Sequence, residues 1–347
     1  MGTPVDSSII PDEAALEADL ASVSPGLVDD LARLDGDLLV LGAAGKLGPS
    51  LVNLACRTVQ QAGTGATVHA ASRFSSPGSA ERMQATGATV IRADLSTDAG
   101  LAELPDVANV VFLVGAKFGT TGNEAATWAT NTYLPGRVAE RFAGSRIVAL
   151  STGNVYPLSR VADGGSLETD PCGPVGDYAM SCLGRERVLT HFSQHLGTAL
   201  SIIRLNYAVE MRYGVLVDLA TTISSGEPVD VTMGFANVVW QGYCNEVILR
   251  SLLHASSPPF LLNLTGPETL SIRRTAVKFA DALGTTVTIT GTEADTALLS
   301  DAGKCHALFG YPRWSIDQLV TATADWVRRD RPRLNKPTHF QTRDGQF

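Results

Sequence analysis

The 347-residue chain has no block of basic residues, and its formal net charge is −8. It therefore offers nothing that would hold nucleic acid or an anionic membrane by electrostatic attraction. No run of about 18 uncharged apolar residues occurs, so no membrane-spanning helix is expected. The opening MGTPVDSSIIPDEAALEADL is acidic and lacks the apolar centre of a signal peptide, and no basic patch accompanies Met1-Gly2 to support a lipid anchor. Cysteine is scarce: the five present stand singly, with no CxxC pair. That argues against a disulfide frame or a zinc site and for free thiols in a reducing compartment, so a cytoplasmic location is expected. Internal repeats and low-complexity tracts are also missing.

What the chain does have is 44% hydrophobic residues, 18% charged residues and 33 glycines, the composition of a globule with many tight turns. Its length suffices for one large α/β domain carrying an additional region. Residues 1–35 read as an N-terminal helical extension. Within it SPGLVDDLARL places Ser24 as N-cap, Pro25 at the first helical position and leucines at helical spacing. From Asp37 short apolar runs alternate with amphipathic stretches. DLLVL (37–41), TVHAAS (67–72), TVIRADL (89–95), NVVFLV (109–114), RIVALST (146–152) and LSIIRL (200–205) are strand candidates. LVNLACRTVQQ and GRVAERFAG lie between some of them with helical periodicity. This alternation predicts an α/β fold, a parallel sheet with helices on both faces. The tail, 329–347, is polar and broken by proline, and an irregular course is expected there.

The first strand runs into Gly42, Gly45 and Gly48 and then a helix. Glycines there permit a tight turn and let a pyrophosphate approach the backbone at a helix N-terminus, where N–H groups and the dipole favour anions. Pro49 is compatible, because the first turn needs no N–H from it. Strand, loop and helix together predict a Rossmann-type dinucleotide site, bordered also by Lys46 and Leu47. Lys46 either reaches a phosphate or extends into solvent, the plainer expectation. At the end of the second strand an NAD site usually presents an acid to the ribose 2′-OH, whereas this chain has Ser72 followed by Arg73. A guanidinium beside a small residue suits a 2′-phosphate. NADP is expected, with NAD the alternative if Arg73 is only a solvated loop residue.

In their shared order these segments resemble the extended short-chain dehydrogenase/reductases, the NAD-dependent epimerase/dehydratase family. The GxxGxxG spacing is that family's. ADL, with Asp94 and Leu95, is similar to its adenine-contacting Asp-hydrophobic pair. VFLVGAKFG, containing Val114, Gly115 and Ala116, takes the place of its fourth-strand segment beside the coenzyme, and Asn131 in ATNTYLPG resembles its helix asparagine. ALSTGNVY is similar to the family's Ser-Ser-x-x-Val-Tyr, which puts Thr152 at the catalytic hydroxyl position. Glu168 in LETDPCGP precedes the tyrosine helix, and Tyr178 in DYAMSCLGRERVL is the tyrosine. IIRLNYAVE resembles the Arg-x-x-Asn segment, with Asn206 one residue early. LLNLTGPETLSIRRTAVKFADALG and ALFGYPRWSIDQLVTATADWV match the C-terminal pattern. The resemblance covers 36–328. It implies a Rossmann-type doubly wound sheet from 36–205 and 237–264, with a smaller C-terminal substrate-binding region from 206–236 and 265–328. It also implies a homodimer built through helices near 124–143 and 175–194.

Two departures bear on the chemistry. The family's lysine, four residues after the tyrosine, bonds the nicotinamide ribose and lowers the phenol pKa; here that residue is Cys182. Residues i and i+4 share a helix face, so a thiol stands where an ammonium is expected. A phenol with pKa about 10 is only on the order of 0.1% ionised at pH 7, which leaves Tyr178 a weak base that can still donate a proton. Lys117, after the fourth strand, is the candidate to lend charge, the alternative being a surface lysine. Cys182 itself has no companion histidine and is given no chemical role. The second departure lies in TMGFANVVWQGYCNEV, which lacks the arginine that usually contacts a sugar nucleotide's diphosphate, Val239 or a neighbour taking its place. A small carbohydrate or hydroxy acid is the expected substrate. Asn154, Asn206, Tyr207 and Trp240 are candidates to contact it, although Trp240 and Tyr243 equally suit a core. His191 and His195 share a helix face without the acid of an HExxH pattern, so no metal site is expected.

The expected activity is that of an NAD(P)-dependent oxidoreductase or epimerase acting on a hydroxyl or ketone of a carbohydrate-like small molecule. Tyr178 would be the acid/base and Thr152 would orient the substrate oxygen. Two alternatives stay open. One is an NADP(H)-binding sensor without turnover, against which the retention of Tyr178, Thr152 and Ser181 argues. The other is a coenzyme-assisted lyase or dehydratase with Glu168 or Glu210 as base.

Overall fold

Seven short strands pair in parallel: β1 (Leu38–Leu41), β2 (Val68–Ser72), β3 (Thr89–Arg92), β4 (Asn109–Phe112), β5 (Arg146–Thr152), β6 (Leu200–Leu205) and β7 (Phe260–Leu264). Their order across the sheet is β7-β6-β5-β4-β1-β2-β3. The protein is therefore an α/β, doubly wound Rossmann-type fold, as its alternating sequence predicts. The computed structural model describes residues 9–117, 119 and 122–346; the Met1-Gly2 start and Phe118 lie outside them.

The sheet is buried on both faces except at its edge strand β3, where Thr89 and Arg92 are exposed. Leu38, Val40, Val111, Val148 and Ile203 pack to one side with residues of the glycine-loop helix, while Leu39, Leu41, Val110, Phe112, Ile147 and Ile202 pack to the other under Val138 and Leu189. Two-sided burial is why these strands read as unbroken apolar runs rather than as polar-apolar alternation. β3 ends at Arg92, so Asp94 and Leu95 sit in the turn beyond it.

Two N-terminal helices, α1 (Glu13–Leu20) and α2 (Pro25–Leu31), lie against α3 (Gly48–Ala62). Ser24 caps α2 as its place before Pro25 implies, accepting from the Leu27 N–H at 3.1 Å. The chain then forms α4 (Glu124–Trp128), a π-helical turn (Ala129–Tyr133), α5 (Leu134–Arg141) and α6 (Gly176–Leu196). A second core joins α7 (Val215–Ser224), α9 (Ile272–Leu283) and α10 (Ile316–Arg328), with α8 (Gln241–Arg250) between them in sequence. It contains Leu219, Ile223, Phe279, Leu319, Trp326 and Phe340. Phe340 belongs to the tail. Residues 329–346 carry no helix or strand, as expected, but they are anchored: Thr338 donates through its N–H and hydroxyl to Asp218 at 2.8 and 2.6 Å, and Arg343 donates to the Thr296 carbonyl at 2.8 Å.

Candidate active site

The strand order reverses between β1 and β4, and a cleft opens there at the carboxyl ends of the strands. The glycine loop closes one side. Gly42 has φ +87°, and a Cβ on it would lie 3.0 Å from Val114 Cγ2. At Gly48 a Cβ would fall 2.1 Å from the Ala43 carbonyl oxygen, so only glycine lets the loop turn this tightly onto α3. α3 starts at this point with no side-chain hydrogen bond capping it, which leaves its first N–H groups facing the loop. A backbone cradle of this kind fits a dinucleotide pyrophosphate. Ser72, the last residue of β2, is half-buried, and Arg73 after it is exposed. The Asp94 carboxyl is held below its usual range, chiefly because the Ser96 hydroxyl and N–H donate to it at 2.7 and 3.0 Å, with Arg73 adding a smaller pull. Leu95 is buried beside it.

The cleft holds about 390 Å³. Of the expected residues, Lys46, Leu47, Gly115 and Lys117 line its coenzyme side, and Thr152, Asn154, Tyr178, Cys182, Asn206 and Tyr207 line the rest. Asn131 stands behind this wall in the π-helical turn, fully buried and with every hydrogen-bonding position used. Its Oδ1 accepts from the Ala116 N–H at 2.8 Å and from Arg185 at 2.9 Å; its Nδ2 donates to the Ala116 carbonyl at 2.9 Å and to Ser181 at 3.0 Å. The π turn thus clamps the backbone after β4 against α6.

Tyr178 enters the cleft from the first turn of α6. Its hydroxyl bonds with Thr152 at the end of β5, and Thr152 donates onward to Asn154 at 3.3 Å. Burial drives the phenol far above its usual pKa and Cys182 pushes the same way; the Thr152 bond and the Arg185 guanidinium pull in the opposite direction. Cys182, 2% exposed, packs with Val155 and Tyr156, and burial raises its thiol as well. Tyr207 holds φ +46°, a conformation rare outside glycine, at the edge of the same cleft.

Two expected roles change in position. Lys46 is not solvated: it lines the cleft, donates to Gln241 and lies 4.3 Å from the Tyr213 ring centre, and burial lowers its ammonium to about 8. Lys117 lies on the cleft wall but donates to the Thr338 carbonyl at 3.2 Å; burial lowers it to about 8, opposed by Asp218. Trp240 is a correction. At 1% exposure it is packed against Trp314 in the second core and does not reach the cleft, because the chain after Val239 turns directly into α8. Tyr243 is also in the interior, donating to the Gly310 carbonyl at 2.5 Å. Glu168 accepts from the Asn263 N–H at 2.8 Å and Glu210 pairs with Arg212 at 3.2 Å, so neither carboxylate borders the cleft. His191 and His195 stack on an exposed helix face, and no metal-holding cluster occurs among the described residues.

Several lining residues escaped the sequence reading, among them four polar groups from three segments. Arg185 lines the floor one turn beyond Cys182, Tyr213 forms part of a wall, and Lys336 and Thr338 of the tail cover the opening. Helical register could have revealed Arg185, since positions i, i+4 and i+7 share a face. Nothing local marks a tail that returns from the far end of the chain.

The geometry has relatives. With 18% identity and a TM-score of 0.70, 84% of the chain superposes on 99% of a UDP-glucuronic acid 4-epimerase from Bacillus cereus solved with NAD. With 19% identity and a TM-score of 0.71, 85% of it covers 97% of a dTDP-glucose 4,6-dehydratase from Streptomyces venezuelae, also solved with NAD. At such identities these likenesses speak for the fold. No curated protein sequence matches. No helix among the described residues is long and apolar enough to cross a membrane. The model of the NAD dependent epimerase/dehydratase family matches residues 38–215, which run from the first sheet strand past the tyrosine helix and make up just over half of the chain. The chain belongs to that family of nicotinamide-dinucleotide enzymes.

Proposed function

We propose that the protein is an NAD(P)-dependent oxidoreductase or epimerase that acts on a hydroxyl or ketone of a small carbohydrate-like acid. The observation that carries the reading is the Tyr178–Thr152–Asn154 chain of polar groups on the floor of the cleft beside the glycine loop. Tyr178 transfers the proton at the substrate oxygen and Thr152 fixes that oxygen by hydrogen bonding. Gly42, Gly45 and Gly48, the Asn131-braced Ala116 and the Asp94–Leu95 turn would hold the coenzyme, which would supply hydride chemistry when bound. Arg73 beside the small Ser72 supports NADP over NAD.

Size and charge support the substrate class. A cavity of about 390 Å³ is near the lower end for ligand sites, and the tail stays across it. That favours a small molecule over a nucleotide sugar. Lys46, Lys117, Arg185 and Lys336 line the cleft with no aspartate or glutamate among the lining residues, which suits an anionic ligand. Homodimer formation is part of this reading: Tyr133 and Met180, 66% and 46% exposed, lie on the helical segments expected to pair. Glu168 and Glu210 are bonded elsewhere, which leaves a coenzyme-assisted lyase or dehydratase without either of them as its base. Turnover should appear in a spectrophotometric screen of sugar acids, hydroxy acids and sugars with either coenzyme, and Tyr178→Phe should lower it by ~10²–10⁴. Full activity in Tyr178→Phe would overturn the mechanism; no turnover on any class would leave the sensor reading in its place.

A further inference from the structure

Arg185 is 5% exposed and lies on the face of α6 that carries Tyr178 and Cys182. Its three bonds all go to neutral acceptors: Nε to the Asn131 carbonyl at 3.1 Å, Nη2 to Asn131 Oδ1 at 2.9 Å, and Nη1 to the Leu150 carbonyl at 2.6 Å. No carboxylate among the described residues pairs with it. The adjacent Glu186 turns away to Arg204 at 2.7 Å and accepts from Ser151 at 2.6 Å. A guanidinium cannot shed its charge, and a buried charge without a partner is unfavourable unless an anion arrives. The anion nearest to hand is the one Tyr178 forms when it gives up its proton.

The arrangement is rigid and closely fitted. Asn131 is fixed by Ala116 and Ser181, and a Cβ on Gly115 would come within 3.0 Å of Arg185 Nη2. Around the phenol, Cys182 and Arg185 belong to its own helix and Lys117 follows β4, while Lys46 of the glycine loop, Tyr207, Tyr213 and Lys336 face the same cleft. Lys117 is directed to the tail carbonyl and is balanced by Asp218. Arg185, held by its three bonds, is a fixed cation on the same helix face as the phenol, and it draws the phenol pKa down against burial and Cys182.

We propose that Arg185 is the positioning residue that supplies the positive charge for Tyr178 ionisation, so that Cys182 and Arg185 form one exchange in which the cation has moved one turn along the helix. The inference rests on the reading of Tyr178 as acid/base and assigns the charge that makes it workable.

The test reads the field at Tyr178 without coenzyme or substrate. Tyr178 is replaced by a fluorinated tyrosine with a lower phenol pKa, and its ionisation is followed by absorbance. Arg185→Met should raise that pKa by about one unit or more, a tenfold or larger loss of phenolate at a given pH. Arg185→Lys should restore most of it, and Cys182→Lys combined with Arg185→Ala should do the same. If Arg185→Met does not fold, the two cation-retaining variants are read against Arg185→Gln. An unchanged pKa in the neutral variant, or a larger shift in Lys117→Met, overturns the assignment. Loss of the Tyr178→Phe turnover effect would sink the enzymatic reading while leaving this titration interpretable, so the two failures are distinguishable.

Discussion

Arg204 and Arg185 are buried to the same degree, 4% and 5% exposed, yet their surroundings differ in kind. Arg204 on β6 meets the Glu186 carboxylate at 2.7 and 3.1 Å and donates to the Tyr156 hydroxyl at 2.7 Å; Tyr156 passes the bond to Asn263 on β7 at 2.8 Å. Its charge is cancelled inside the protein, and its work is to tie α6 to the sheet. Arg185 makes fewer bonds, three, and all of them go to neutral oxygens. Equal burial therefore does not mean equal purpose: the sign of the nearest acceptors separates a structural charge from one left available to the cleft.

The largest effect expected from this contrast is in stability. Arg204→Met leaves Glu186 buried without its partner and should cost about 3–5 kcal/mol in denaturant unfolding. Arg185→Met abandons no carboxylate and should cost much less. An equal loss from both variants would show that Arg185 is also a structural brace and would erase the distinction.

A third arginine extends the comparison to the surface. Arg73 is exposed, and within the chain it adds only a minor pull on Asp94, so its charge is open to something that binds. If that is a 2′-phosphate, NADP(H) should bind at least about tenfold tighter than NAD(H), since one charge-assisted contact offers about 1.5–3 kcal/mol. Fluorescence titration of Arg73→Ala should show the preference gone. Equal affinities in the unsubstituted protein would remove the NADP assignment.

The sheet was legible because parallel strands covered on both faces must be continuous apolar runs, and six of the seven announced themselves that way. β7 did not, because FLLNL merges with the segment leading to α9. The glycine loop was readable for steric reasons: at Gly42 and Gly48 no side chain fits. Tyr178 and Thr152 were found by their order along the chain. The charge distribution was much less visible. That Lys117 would bond a tail carbonyl, or that Glu186 rather than Arg185 would hold Arg204, depends on side chains meeting from distant segments. Trp240 shows the same limit, since a large aromatic near a site motif serves core and pocket equally well until the fold selects one.

The smallest expected effect separates the lysines of the cleft from its arginine. Burial lowers Lys46 and Lys117 to about 8 from an ordinary value of 10.5, whereas Arg185 keeps its charge throughout. Between those two values the unfolded chain retains protons that the folded chain has released, so stability rises with pH across that window. Each lysine adds at most about 1.4 kcal/mol per pH unit, and below the window neither contributes a slope, because both states are protonated. Anion binding should move the opposite way over the same range, weakening as the ammonium groups neutralise and levelling off at the contribution of Arg185. Urea unfolding of the unsubstituted protein and Lys117→Met, run side by side from about pH 7.5 to 9.5, isolates one lysine's share. The variant should show the shallower rise. An identical slope in both would mean that Lys117 keeps its proton in the folded cleft, and the division between titrating lysines and a permanent arginine would have to be abandoned.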